Sequence, residues 1–222
     1  MHETTKTRRL WGPLEQAVLR GEGIDIGCGP DPVFPDVARF DVEQGDAGRI
    51  TEFVHRQFDY VYSSHCLEHM NDPAAALIEW WKLVRPGGHL MFIVPDEDLY
   101  EQGVFPSRFN ADHKATFTIS KARSWSPVSH NVLDLARGLP NAEIVSLVLQ
   151  DNAYDRRLLR WGPSPANKLR DGLLRRYRRW KRKGRLSSIA WLERLQDASR
   201  PLDQTMAPDV LAQIQCIVRK RP

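Results

Sequence analysis

Cysteine is scarce in this chain: Cys28, Cys66 and Cys216 lie far apart and are odd in number, so a disulfide framework is not expected. No apolar run approaches the roughly 20 residues of a membrane-spanning helix. The N-terminal stretch, Arg8-Arg9 followed by Leu10-Trp11-Gly12-Pro13, lacks the apolar core of a signal peptide. Cytoplasmic localisation is the expectation. No internal repeat is visible, which argues against a solenoid or propeller. What remains is a chain of 222 residues, long enough for one domain over 1-222 and a substantial core, with residues left for an insertion.

Charge is not scarce but it is unevenly placed. The net charge is +4, yet Asp155 to Arg185 holds 13 Lys/Arg against 2 Asp. That segment carries +11 and the rest of the chain −7. Leu169, Leu173, Tyr177 and Trp180 recur at helical spacing there, so an amphipathic helix with an arginine-rich face is expected. Such a face is a solvated surface, an anionic membrane contact or a nucleic-acid contact. No recognised nucleic-acid module accompanies it, which makes nucleic acid the less favoured partner. Peripheral association with a membrane remains open.

The pattern along the chain alternates strands and helices. Gly23 to Ile26, Ala38 to Val42, Phe58 to Ser63, His89 to Pro95, Glu143 to Leu149 and Gln213 to Arg219 read as strands. Pro13 opens a helix over Leu14 to Arg20, and Ser129 to Gly138 reads as another. Asp72-Pro73 opens a helix whose apolar stripe is Leu77, Trp80, Trp81 and Val84, closed by Arg85-Pro86-Gly87-Gly88. Pro30 to Val37 holds three prolines and reads as a loop. Alternation of this kind predicts an α/β, Rossmann-like, doubly wound and mostly parallel sheet. The basic helical insertion, 155-201, falls between the last two strands.

Chemistry concentrates in Gly23-Ile24-Asp25-Ile26-Gly27-Cys28-Gly29-Pro30-Asp31. A β-branched strand holding an acid runs at once into Gly-x-Gly. Without a Cβ, glycine lets the chain turn sharply and approach a ligand closely. At the carboxyl end of the first strand of an open sheet, that turn marks a nucleotide crevice. A dinucleotide fingerprint would put its third glycine at position 32, which is Pro32. An acid two positions before Gly-x-Gly instead resembles the first motif of class I S-adenosyl-L-methionine (SAM) methyltransferases. Leu67-Glu68-His69 after the Phe58 strand and the later Arg85-Pro86-Gly87-Gly88 turn add to that resemblance, which spans residues 20 to 100.

The resemblance implies a transferase with SAM as cofactor, working on small-molecule or glycan-like acceptors, and a seven-stranded sheet whose last strand is antiparallel. It implies cofactor-binding roles for Asp25, Gly27, Cys28 and Gly29 at the methionine end and for Asp41 at the ribose. Asp46 and Ala47 would lie at the adenine, and Ser64 beside the methionine carboxylate or the methyl group. Only 11 residues separate Gly29 from Asp41, shorter than the family pattern. Cys28 and Cys66 have side chains that read as small packing residues. No Pro-Cys nucleophile and no Asp/Asn-Pro-Pro-Tyr run is present.

Methyl transfer needs orientation above all, and a base where the acceptor is a hydroxyl or a protonated amine. His69, His113 and His65 are the catalytic candidates. His113 sits in Arg108-Phe109-Asn110-Ala111-Asp112-His113-Lys114, a polar loop suited to a polyhydroxylated or anionic acceptor. Methylation at oxygen is expected. Two alternatives stay open: an RNA methyltransferase or binding protein using the basic insertion, and a zinc hydrolase through His65, Glu68 and His69. The second needs a full zinc helix, which a strand end followed by Asp72-Pro73 does not provide, so no metal is assigned.

Overall fold

A computed structural model of the chain describes residues 3–162, 165–183 and 201–222. Two short helices, α1 (Glu3–Arg8) and α2 (Pro13–Val18), precede β1 (Gly23–Ile26) and β2 (Ala38–Phe40). There follow β3 (Phe58–Ser64), α3 (Pro73–Lys82), β4 (Val84–Pro95), β5 (Thr116–Thr118) and β6 (Ser129–Asn131). The chain closes with α4 (Val132–Arg137), β7 (Ala142–Gln150), α5 (Pro165–Arg182) and β8 (Gln213–Lys220). The main sheet runs β2-β1-β3-β4-β8-β7. β8 pairs antiparallel with both of its neighbours, and the other pairings are parallel.

Alternation along the strands splits the core between the two faces of the sheet. Ile24, Ile26, Val61, Leu90 and Phe92 pack on one side with Leu77, Trp80 and Trp81 of α3 and Val132 and Ala136 of α4. Tyr60, Tyr62, Met91 and Ile93 pack on the other with Val18, Leu19 and Val33. α3 begins where Asp72 accepts a hydrogen bond from the Ala75 amide at 3.0 Å, with Pro73 in its first turn. The buried indoles find partners: Trp80 Nε1 donates to Ala47 O and Trp81 Nε1 to Pro140 O, both at 2.9 Å.

Three expectations are corrected. Among the described residues the main sheet has six strands, not seven. Between Phe40 and Phe58 the chain makes a capped turn and one 3-10 helix, Ala47–Glu52, packed against α3, and β2 is left as the edge strand. Ser129–Asn131 is not the start of a helix. It pairs in parallel with Thr116–Thr118, and the helix begins only at Val132, where Asn131 caps the Asp134 amide. On α5 the inward side chains are Leu174 and Tyr177, whereas Leu173 and Trp180 are 57% and 40% exposed. The Leu169 side chain, and the insertion from 184 to 200, lie outside the described residues.

α5 follows β7 and precedes β8 along the chain, and no described helix is long and apolar enough to cross a membrane.

Candidate active site

The glycine turn forms as its sequence suggests. Gly27 has φ +74° and donates its amide to Phe40 O at 2.7 Å. A Cβ there would stand 2.5 Å from Cys66 Cβ and Sγ, so no larger residue fits. Gly29 has φ +50°, and a Cβ would meet nothing within 4 Å, leaving open space above the turn. Asp41, just past β2, accepts from the Gly29 amide at 2.6 Å through Oδ2 and from the Val42 amide at 2.7 Å through Oδ1. Asp46 caps the next turn, accepting from the Gly48 amide at 2.8 Å.

Gly27, Asp41 and Asp46 border a cavity of about 650 Å³. Its lining includes Gly27, Asp41, Asp46 and Ala47 together with His65, Cys66, His69, Met70 and Asp112. Asp25, Cys28, Gly29, Ser64 and His113 stand outside that lining. Asp25 is buried on the tyrosine side of the sheet, where Oδ2 accepts from the Val33 amide at 2.6 Å and Oδ1 has no partner. Burial pushes its pKa up to about 7. Ser64 is buried at the end of β3, and burial raises the Cys28 thiol to about 11. A separate cavity of about 500 Å³ between α3 and α4 is lined by Ile78, Lys121, His130 and Asn131 and touches none of the predicted site residues.

The candidate histidines are held by carboxylates. His65, at φ +54°, places Nδ1 3.2 Å from Glu68 Oε1 and Nε2 3.0 Å from Gln213 Oε1. Burial opposes its charge, but the Glu68 carboxylate outweighs that and pushes its pKa up to about 9. Glu68, fully buried, is correspondingly held below the ordinary carboxylate value despite its desolvation. His69 Nδ1 lies 3.1 Å from Asp112 Oδ2. His113 is buried behind it, ring centroids 5.1 Å apart, with Nδ1 2.7 Å from Glu101 Oε1 and the Tyr100 ring stacked on it.

The sequence placed Glu68 only in the zinc-hydrolase alternative and gave Glu101 and Gln213 no site role. Glu68 had a local signal in its neighbour His69. Gln213 and Glu101 had none, because Gln213 lies 148 positions from His65 and no spacing rule joins Glu101 to His113. His65, Glu68 and His69 do not make a zinc helix, since Leu67–His69 is one 3-10 turn with His65 outside it.

The cavity suits an amino-acid-bearing nucleoside. Its volume lies within the roughly 300–1,000 Å³ of small-ligand sites. Asp41 spends one lone pair per oxygen on backbone amides, and a carboxylate has about four acceptor sites in all, so both oxygens can still take a hydroxyl. The bare glycine turn allows main chain to approach.

The family model described as methyltransferase domain matches residues 5–170. No curated protein matches the chain. Among solved structures, a protein of Bacillus halodurans C-125 assigned provisionally as a methyltransferase is 14% identical, with a TM-score of 0.52 over 94% of this chain and 97% of that one. The plantazolicin methyltransferase BamL, solved with a triazolic desmethylPZN analog and SAH, is 13% identical, with a TM-score of 0.50 over 99% of this chain and 87% of its own. At such identities the likeness is one of fold. The family match spans most of the sequence, and on it the chain belongs to the class I methyltransferases, enzymes that use S-adenosyl-L-methionine as methyl donor.

Proposed function

We propose that this enzyme methylates a hydroxyl oxygen on a small, polar acceptor. The carrying observation is one cavity lined both by the glycine turn with Asp41 and Asp46 and by the imidazoles His65 and His69, each beside a carboxylate. On this reading Asp41 takes the ribose hydroxyls of SAM, and Asp46 and Ala47 border the adenine. Gly27, Cys28 and Gly29 lie along the methionine end. Asp25 and Ser64 support that end from outside the cavity wall.

SAM supplies an activated methyl group, and the protein's contribution is alignment, worth roughly 7–11 kcal/mol when two reactants are held in line. A hydroxyl also has to lose a proton. His69 and His113 each engage a carboxylate through Nδ1, which leaves Nε2 to assist that ionisation. His65 acts differently, fixing Glu68 as an imidazolium. BamL, with a desmethylPZN analog and SAH together, supports a small-molecule acceptor for this fold. The test is SAH formation over matched alcohol, amine and thiol acceptors. Turnover confined to amines or thiols would end the oxygen assignment.

A second reading rests on α5, where Arg175, Arg176, Arg179 and Arg182 are exposed while Leu174 and Tyr177 are buried. A cationic face of that kind suits an anionic acceptor, such as a glycan carried on an anionic membrane surface, or RNA. Salt-sensitive retention on anionic vesicles but not on RNA would favour the first, and the reverse the second. Retention on neither leaves α5 as a solvated face.

A further inference from the structure

We infer that Glu68, His69 and His113 form a binding site for one divalent transition-metal ion at the acceptor end of the cavity. Among the described residues, these three are the one group of His, Cys, Asp and Glu whose ligand atoms all lie within 4.8 Å of one another. Glu68 is fully buried, and neither of its oxygens accepts a hydrogen bond; Oε1 has only His65 Nδ1 beside it at 3.2 Å. The His65 imidazolium faces Oε1 alone, and a buried carboxylate oxygen left without any partner, as Oε2 is, is costly.

The two imidazoles are prepared in the same way. His113 Nδ1 meets Glu101 Oε1 at 2.7 Å and His69 Nδ1 meets Asp112 Oδ2 at 3.1 Å. Each ring is thereby oriented by a carboxylate and offers Nε2. Carboxylate–histidine–metal arrangements have this form, and the outer carboxylate raises the basicity of the ligand. Ligands about 2.0–2.2 Å from a shared ion stand roughly 3–4.3 Å apart, close to the 4.8 Å within which one ligand atom of each residue lies. Two imidazoles and one carboxylate favour Mn²⁺, Fe²⁺ or Zn²⁺ over Mg²⁺ or Ca²⁺, which prefer all-oxygen shells.

Three protein ligands leave positions open, and His69 borders the cavity. The ion can therefore hold the acceptor oxygen where the methyl group arrives. This deepens the oxygen-acceptor reading and rests on it for the group ligated, though not for the ion site. With both Nε2 atoms held by the ion, neither imidazole takes the proton directly; the ligated hydroxyl ionises more readily and its proton passes to solvent water instead. An oxygen lone pair then forms the C–O bond as the C–S bond breaks, and sulfur keeps that electron pair, giving SAH.

The full, tag-free chain, stripped with EDTA and dialysed, is titrated with Mn²⁺ alone while free Mn²⁺ is followed by electron paramagnetic resonance. One saturable ion per chain is expected. His113→Ala and Glu68→Gln should weaken it by roughly tenfold or more, with SAM binding retained as evidence of folding. Because Glu68 and His113 are buried, the partly exposed His69→Ala gives an independent arm. No saturable binding, or binding indifferent to all three variants in folded protein, overturns the site. Alcohol methylation undiminished in EDTA overturns the role of the ion and leaves the oxygen reading intact. Ion binding together with turnover of amines alone does the opposite.

Discussion

The Asp41 carboxylate reaches back from the end of β2 and accepts a hydrogen bond from the Gly29 amide at 2.6 Å. One side chain thus ties the second strand to the glycine turn of the first, at the edge of the cavity. Asp41→Ala removes that tie along with two acceptor oxygens. SAM binding should weaken by roughly 1.5–3 kcal/mol if a charge-assisted bond to the ligand is lost. Isothermal titration reads the effect, and an unchanged Kd would remove Asp41 from the site.

Gly27 and Gly29 should respond differently to alanine. At Gly27 the new methyl group meets Cys66 at 2.5 Å, on a backbone at φ +74°. Strain at such a position costs about 1–3 kcal/mol, and overpacking adds a similar amount. Gly27→Ala should therefore lower the urea midpoint. Gly29→Ala, with nothing within 4 Å, should cost less stability yet block close approach of a ligand, so its loss should show in SAM affinity. Equal stability losses in the two variants would contradict this account.

Asp25 gives a pH signature. Burial is the main cause that raises its pKa to about 7, with Asp31 and Asp41 adding to it and the Val33 amide opposing. The folded state therefore binds this proton more tightly than the unfolded chain. That contribution is complete below the ordinary value of 3.8 and is lost as pH rises through about 7. Between those limits wild-type stability should fall relative to Asp25→Asn, which carries no titrating carboxyl. Parallel denaturation curves at every pH would show that folding leaves the pKa of Asp25 unshifted.

What could be read in advance was local. The strand-turn chemistry around Asp25, Gly27 and Gly29 and the Asp72-Pro73 helix start depend on a few adjacent residues, and both form. Ser129–Asn131 pairs instead with Thr116–Thr118, a partner no helical periodicity could signal. Leu173 and Leu174 are neighbours, and only the structure shows that Leu174 is the buried one. At the site, His65, His69 and His113 were visible as residue types. Their roles were not, because Glu68, Asp112, Glu101 and Gln213 sort them, and two of those partners lie in remote segments.

His65 and Glu68 should give a stability profile of opposite edges. With its pKa raised from 6.5 to about 9, His65 contributes fully below 6.5, and the contribution is lost as pH climbs through about 9. Glu68, held below 4.5, contributes above that value and loses its share as pH falls through its folded pKa. The stability gap between wild type and His65→Asn should therefore be widest between 4.5 and 6.5 and close above about 9. Asparagine is chosen because it tolerates the left-handed backbone that position 65 adopts. Urea denaturation across pH, in EDTA so that no cation stands in for the imidazolium at Glu68, measures the gap. A constant gap from pH 5 to 10 would mean that His65 is neutral beside Glu68, and that the buried carboxylate draws its compensation from elsewhere.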